Sequence, residues 1–204
     1  MRNLLIGILL LVFFACDNGA SGKHDTLPIL GHRDIVDGDT VYHTVPDFVF
    51  TNQYGETITP NTFSDKIYII DYFFTHCPTI CPKVKREQLR LYDKYKNHPK
   101  LSFLSVSIDT KYDTVEQLNK YAKSLNIEKG NWHMVTGSKD MIYDNAVGFF
   151  HTAMENEASP GGYDHDGKLV LIDKNKHIRG FCDGLIPKEV DNFVYDIENL
   201  LNEG

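Results

Sequence analysis

The chain has 204 residues, of which 42% are hydrophobic, and this is enough for one domain with a well-buried core. Its formal net charge at pH 7 is −7, which makes it a poor candidate for binding nucleic acid. Beyond the N-terminal segment, no stretch approaches the roughly 20 apolar residues that a membrane-spanning helix needs. We therefore predict a single folded domain with no nucleic acid among its partners.

The N-terminal segment is an apolar run from Leu4 to Phe14 that ends before a polar stretch. Because the run is too short to cross a bilayer, it predicts a signal peptide. The sequence Phe-Phe-Ala-Cys at 13–16 resembles the lipobox of bacterial lipoproteins, although leucine is usual at its first position. We predict a lipoprotein signal peptide over residues 1–15 and a lipid on Cys16.

Residues 16–44 are predicted to form the lipid attachment, a tether and an N-terminal extension, because 17–25 are mostly small and polar. Ordinary cleavage to a soluble secreted protein is the alternative. In both cases the mature chain leaves the cytoplasm, and we predict a lipid-anchored protein on the cell membrane that faces the periplasm. Since thiols can be oxidised there, the remaining cysteines are candidate disulfide partners as well as ligands.

The rest of the chain alternates between strand and helix patterns. Apolar alternation and turn residues predict a hairpin over 45–56, strands over 67–74, 101–108 and 132–135, and a late hairpin with strands at 168–173 and 177–182. Helical spacing and capping residues predict helices from the motif at 77–82 to Lys96, from Thr114 to Leu125, over 138–150, and from Pro187 onward.

Strand, helix, strand, helix implies parallel pairing of the first central strands. Two parallel crossovers, a late hairpin and a final helix are the thioredoxin arrangement. We predict an α/β, thioredoxin-like domain over residues 45–204, with a central mixed sheet flanked by helices and an N-terminal β-hairpin extension. The first cysteine pair then lies at the carboxyl end of a strand, where such sheets place their sites.

Cys77 and Cys81 are separated by three residues. On the first turn of a helix this spacing would place both sulfurs on one face. The positive end of the helix, with Lys83, Lys85 and Arg86, would favour the thiolate, which is both a metal ligand and a nucleophile. Two soft sulfurs suit Cu(I), and an imidazole as third ligand would allow Cu(II) as well.

Other chemistries of this pair stay open. A static disulfide is compatible with the spacing and the compartment. Structural zinc is disfavoured because it usually takes four protein ligands and only Cys182 remains as a further thiol. A thioredoxin-type reductase would carry two residues between its cysteines, and a peroxiredoxin would carry threonine where Phe74 or Pro78 stands.

His165 is the candidate third ligand among nine histidines. It lies in a glycine-rich loop, 161–167, directly before the penultimate strand, and in a thioredoxin-like fold that loop abuts the start of the motif helix. His76 is the rival, although strand geometry next to Cys77 would point it away from the sulfurs. Asp164 could orient the imidazole of His165.

The segment 74–82, Phe-Thr-His-Cys-Pro-Thr-Ile-Cys-Pro, resembles the signature of the Sco/SenC copper chaperones of cytochrome c oxidase assembly. Further segments over roughly 45–200, including Asp164-His165, are similar to the same family. The resemblance implies that Cys77, Cys81 and His165 together hold one copper ion as Cu(I) or Cu(II), with Asp164 beside the histidine.

The resemblance also implies the function. The protein would receive copper from a donor and help to load the binuclear copper centre of cytochrome c oxidase subunit II. The same thiols, kept reduced by a thiol reductant, could also reduce the acceptor's disulfide, and a thiol-disulfide oxidoreductase or a redox sensor without copper transfer is the alternative. Thr110 replaces a common proline of the family, and Cys182 matches nothing in the motif. We expect Cys182 to be a partly buried free thiol, with a regulatory or dimer-forming disulfide as the alternative.

Overall fold

The computed structural model describes residues 26–203. Its strands are β1 (Arg33–Val36), β2 (Asp39–Tyr42), β3 (Phe50–Asn52), β4 (Thr57–Ile58), β5 (Ile67–Phe73), β6 (Leu101–Ser107), β7 (Trp132–Thr136), β8 (Ala153–Glu155), β9 (Tyr163–His165), β10 (Lys168–Ile172) and β11 (Ile178–Asp183). Its α-helices are α1 (Cys81–Tyr95), α2 (Val115–Ser124), α3 (Lys139–Gly148) and α4 (Pro187–Asn202), and short 3-10 helices span Pro60–Phe63 and Pro160–Gly162.

Seven strands form one mixed sheet in the order β11-β10-β5-β6-β7-β3-β4. β5, β6 and β7 are parallel, whereas β10 pairs antiparallel with both β5 and β11. The predicted fold class, with parallel crossovers, a late hairpin and a closing helix, is therefore confirmed. Every residue of β5 and β6 is buried, as expected for central strands that carry helices on their faces.

Alternation along β5 assigns the two faces of the sheet. Asp71 and Phe73 point to the face covered by α1 and α2, where Asp71 contacts Lys85 and Phe73 stacks on Tyr121. Tyr72 points to the other face and packs against His151. The last residues of β5 therefore contact the elements on both faces of the sheet, and the chain that follows β5 lies at the edge of the buried core.

The N-terminal hairpin differs in detail from the prediction. Its first strand starts at Phe50, and the side chain of Asn52 accepts hydrogen bonds from the backbone N–H groups of Tyr54 and Glu56 to close the turn. Residues 45–49 form no strand. This hairpin extends the main sheet through β3, which pairs with β7.

A second hairpin, β1–β2, lies within the predicted tether and extension and was not predicted. Its turn is Asp37-Gly38, with φ of 55° and 89°. Both values are positive, and Asp-Gly is the typical sequence of such a turn, so the signal was present. All residues of β1 and β2 are exposed.

Two features predicted from the sequence, the signal peptide at 1–15 and the lipid on Cys16, lie outside the described residues. Residues 27–30, within the predicted extension, bind along the far edge of the sheet, where the N–H of Leu30 donates to the backbone oxygen of Ile178 at 2.8 Å. Among the helices of residues 26–203, none combines the length and apolar character needed to cross a membrane.

Candidate metal centre

The two cysteines lie between the carboxyl end of β5 and the first residue of α1, which is Cys81. The prediction that both occupy the first helical turn is wrong, because α1 begins at Cys81. Pro82 explains the difference: it is tolerated in the first turn, but in a helix that began near Cys77 it would lie in the interior and clash with the preceding turn. Cys77 instead lies in a turn, where its own backbone N–H donates to the backbone oxygen of Phe74 at 3.3 Å.

The turn that carries Cys77 is anchored to the core by a buried carboxylate. Asp113 accepts hydrogen bonds from the backbone N–H of Thr75 at 2.9 Å and from the hydroxyl groups of Thr75 and Ser107. Burial raises the pKa of Asp113, and these hydrogen bonds oppose the rise. The sequence indicates only a helix start beside Asp113, and no local pattern marks its anchoring role.

His165 is the last residue of β9, which belongs to a two-stranded ribbon separate from the main sheet. β8 and β9 pair antiparallel, with Ala153 opposite His165. At the tip of the ribbon Gly161 has a φ of 80°, and a Cβ there would lie 2.7 Å from the ring of Phe74. Because glycine alone fits this backbone conformation and this close approach, the ribbon can close over the start of the cysteine motif.

The ribbon brings the three predicted ligands together. Nε2 of His165 lies 3.6 Å from Sγ of Cys77 and 3.3 Å from Sγ of Cys81. Within the described residues this is the one group of three or more histidine, cysteine or acidic side chains placed to hold a metal, with all donor atoms within 4.8 Å. Both cysteines are buried and His165 is half-buried.

These separations fit a metal ion. Metal bonds of about 2.3 Å to sulfur and about 2.0 Å to nitrogen, at tetrahedral to trigonal angles, place the two ligand atoms roughly 3.5 to 3.7 Å apart. The sulfur–nitrogen distances in the structure are within a few tenths of an ångström of that range. Two sulfurs and one imidazole are also the donor set expected for copper.

The two thiols differ in acidity. The pKa of Cys77 is lowered, mainly because its thiolate accepts a hydrogen bond from Cys81, while burial opposes the effect. The pKa of Cys81 is raised by the same interaction and by burial. Cys77 is therefore the thiolate and Cys81 the thiol of the metal-free pair.

The predicted cationic surroundings of the pair are only partly present. Lys83 and Arg86 are exposed, whereas Lys85 is buried beneath α1. Nζ of Lys85 donates to Asp71 at 2.6 Å, to Gln88 at 2.8 Å and to the hydroxyl of Ser105 at 2.9 Å. An aspartate inside an otherwise apolar strand needs such a partner, so Asp71 was the signal from which this ion pair could have been predicted.

The backbone, and not Asp164, orients the imidazole. Nδ1 of His165 lies 3.0 Å from the backbone oxygen of Asp166. The carboxylate of Asp164 accepts hydrogen bonds from Asn156 at 2.6 Å and from the hydroxyl of Ser159, so it closes the loop at the tip of the ribbon. The direct contact predicted between Asp164 and the ring is thus made by a different group.

His76 points away from the sulfurs, as expected. Its side chain is 40% exposed, and its Nε2 lies 3.6 Å from a carboxylate oxygen of Asp109. Its ring also packs edge-on against Tyr112. His76 therefore takes no part in the three-donor group.

The family model of SCO1/SenC proteins matches residues 37–202, which is most of the chain. This chain belongs to the SCO1/SenC family. The match includes all three donor residues and the whole of the mixed sheet.

Solved structures of related proteins share the fold of this SCO1/SenC chain. A SCO1/SenC family lipoprotein from Bacillus anthracis is 25% identical, with a TM-score of 0.71 over 78% of this chain and 95% of that one. Arabidopsis thaliana ScoI with copper bound is 23% identical, with a TM-score of 0.66 over 79% and 99%. BsSco, described as a member of the Sco family of cytochrome c oxidase assembly proteins with a disulfide switch, is 24% identical, with a TM-score of 0.67 over 79% and 95%.

Cys182 does not belong to the group formed by Cys77, Cys81 and His165. It lies in β11 opposite Leu169, is buried and is a free thiol. Burial raises the pKa of Cys182, and nearby carboxylates add to the rise. The structure has the expected free thiol, but Cys182 is buried and not partly buried.

Proposed function

We propose that this chain is an extracytoplasmic copper-binding metallochaperone that delivers copper to the binuclear copper centre of cytochrome c oxidase subunit II. The observation that carries the proposal is the meeting of Cys77, Cys81 and His165, whose donor atoms lie within 4.8 Å of one another. The copper-bound Arabidopsis relative and the description of BsSco as an oxidase assembly protein support it.

Copper is the cargo of this reaction. Two thiolates stabilise Cu(I), and the imidazole allows the same site to hold Cu(II). Three protein ligands for one copper ion leave a coordination position for a ligand of the acceptor. Transfer can therefore run by stepwise exchange, in which each acceptor thiolate enters before one of Cys77, Cys81 or His165 leaves, and the metal is never free.

The structure offers a route for the incoming ligand. A groove of about 310 Å³ between α1 and α2 is lined by both cysteines together with Leu89, Tyr121 and Leu125. On the opposite side of Cys81, the gap toward His165 has no room for a water molecule. Both cysteines can therefore be approached from the groove between α1 and α2, and Cys81 is closed on the side toward His165.

We further propose that the mature domain is held to the membrane through a lipid on Cys16 and faces the periplasm. The sequence pattern at 13–16 supports this assignment. The related Bacillus anthracis protein is described as a lipoprotein, which also supports it. The tether would keep the donor group near a membrane-bound acceptor.

The acidity difference between the thiols favours a second function, reduction of the acceptor's disulfide. The thiolate of Cys77 would attack one sulfur of that disulfide and release the other as a thiolate, forming a mixed disulfide. Cys81, after losing its proton, would attack Cys77 and release the second acceptor sulfur. Two electrons pass to the acceptor, the pair becomes a disulfide, and an external thiol reductant must restore it.

One transfer experiment separates the two functions. The chain loaded with one copper per molecule is mixed with the reduced, soluble copper domain of subunit II, and the reduced, copper-free chain is mixed with the same domain after its cysteines have been oxidised. Transfer to the reduced acceptor by the wild type, lost in His165→Ala, is the result expected of the chaperone. If no copper moves and both wild type and His165→Ala reduce the oxidised acceptor while Cys77→Ser does not, the protein is a reductase and the chaperone proposal fails.

A further inference from the structure

His151 is a buried histidine that the proposed reaction does not use. Its side chain is completely buried, and its Nδ1 lies 2.9 Å from a carboxylate oxygen of Asp166. Because a carboxylate oxygen only accepts, Nδ1 of His151 must be the donor. The ring packs against Tyr72, with centroids 4.9 Å apart.

Asp166 connects this buried ring to the metal centre. Its carboxylate accepts hydrogen bonds from His151, from the backbone N–H of Thr152 at 2.7 Å, and from the backbone N–H and the ammonium group of Lys168 at 3.1 and 3.3 Å. Its own backbone oxygen faces Nδ1 of His165 at 3.0 Å. Asp166 therefore accepts a hydrogen bond from His151 through its side chain and another from His165 through its backbone oxygen.

The second of these contacts determines the tautomer of His165. A neutral imidazole carries one proton, and a backbone oxygen can only accept. Nδ1 of His165 is therefore protonated, which leaves the lone pair of Nε2 directed at Cys77 and Cys81. A rotation of the peptide between Asp166 and Gly167 would turn the oxygen away, and glycine puts little restraint on that rotation.

We propose that His151 is a positioning residue for His165: by holding the Asp166 carboxylate, it fixes the peptide whose oxygen selects the metal-binding tautomer of His165. The value of this tautomer for copper rests on the proposed function. The geometry of the hydrogen bonds does not depend on the proposed function, because it concerns the metal-free protein.

The chemistry of His151 argues against a role in packing alone. Among the described residues its Nε2 has no hydrogen-bond partner, although it is buried. Burying an unpaired polar atom is unfavourable, so an apolar ring would fill the space against Tyr72 at a lower free energy. The one interaction of His151 that an apolar ring cannot make is the hydrogen bond to Asp166.

The test compares three variants of His151 in the reduced, copper-free chain by nitrogen-15 NMR of the His165 ring. His151→Asn keeps an N–H donor near the position of Nδ1, whereas His151→Gln places its donor near the position of Nε2, and His151→Phe keeps only the ring. We expect the Nδ1-protonated tautomer of His165 in wild type and His151→Asn, and a mixture of tautomers in His151→Gln and His151→Phe. His133→Phe, which removes a partly buried histidine from β7, is the control and leaves His165 unchanged.

Copper binding supplies the second readout. Loss of the group that orients a metal-binding histidine typically costs about 10- to 100-fold in metal affinity. Because the proposal makes His151 hold that group in place through Asp166, we expect a loss of up to this size in His151→Gln and its recovery in His151→Asn. Equal tautomers and equal affinities in the Asn and Gln variants would overturn the proposal, whatever their melting temperatures. If the wild type binds no copper, the proposed function fails, but the tautomer comparison still decides the role of His151.

Discussion

The two halves of the metal centre are held in place by different forces. Cys77 and Cys81 lie where a fully buried strand meets a helix, and their surroundings are the apolar core with one buried ion pair. His165 lies on a short ribbon outside the main sheet, held mainly by the carboxylates of Asp164 and Asp166. Burial in the core and the hydrogen bonds of Asp113 position the thiols, whereas the ribbon that carries the imidazole depends on a few hydrogen bonds and on the contact of Gly161 with Phe74.

This difference suggests a division of labour. Packing in a core is rigid and hard to perturb one group at a time, which suits a pair that must keep its spacing through binding and release. A ribbon held by a few hydrogen bonds can be loosened without unfolding the domain. The thiol half should therefore respond to mutation through loss of binding or of stability, and the imidazole half through graded changes in affinity.

The largest effect is expected from Cys77→Ser. The change removes one of three donors and the thiolate of the pair, and since an orienting group further out is worth about 10- to 100-fold in metal affinity, we expect more than that range to be lost. Bound copper per chain after anaerobic desalting measures it. Cys182→Ser is the matched control and should retain the copper of the wild type; equal loss in both variants would mean that Cys182 belongs to the site.

The next effect is on stability and concerns the ion pair beneath α1. Lys85→Met leaves Asp71 buried without its cation, which should lower the free energy of unfolding by about 3 to 5 kcal/mol. Urea denaturation measures the change. Lys94→Met breaks an exposed pair with Glu198 and should cost less than about 1 kcal/mol. Similar small losses in both variants would show that the buried pair does not support the thiol half.

A third effect is the pH dependence of thiol reactivity. Because its lowered pKa keeps Cys77 ionised well below the usual pKa of a thiol, its alkylation by iodoacetamide should stay fast as the pH falls to 6. The pKa of Cys182 is raised, so it should react roughly tenfold or more slowly there. Peptide mass spectrometry of the reduced, metal-free chain gives both rates, and preferential labelling of Cys81 or Cys182 would contradict the assignment.

The smallest effect is expected at the tip of the ribbon. Asp164→Ala removes the contacts with Ser159 and Asn156 but none with the imidazole, so copper affinity should fall by less than about 10-fold. A competition titration with a chelator of known affinity measures it. A loss as large as that in His151→Gln would show that Asp164 orients His165 after all.

The sequence predicted the thiol half better than the imidazole half, and the reason is physical. A continuous apolar strand and helical spacing are local patterns, so β5, α1 and their junction were visible, although the effect of Pro82 on the helix start was not taken into account. The contact between His151 and Asp166 joins residues 15 positions apart, and no local pattern marks it.

The ribbon itself shows the same limit. β8 and β9 are three residues each, too short for alternation to be recognised, so the sequence indicates only a glycine-rich loop over 161–167. The position of His165 before β10 could be predicted, but its approach to the sulfurs depends on the close contact of Gly161 with Phe74. The resemblance to a family supplied the third ligand that spacing alone left open.

The most direct test of the account is an anaerobic copper titration of the reduced chain, wild type beside His165→Ala, read by bound stoichiometry and by the absorption and electron paramagnetic resonance of the Cu(II) form. The account predicts one copper per wild-type chain with a sulfur-to-copper band, and a weakened, altered site in the variant. A wild type that binds no stable copper, or a variant with the same affinity and spectrum, would contradict the three-donor site.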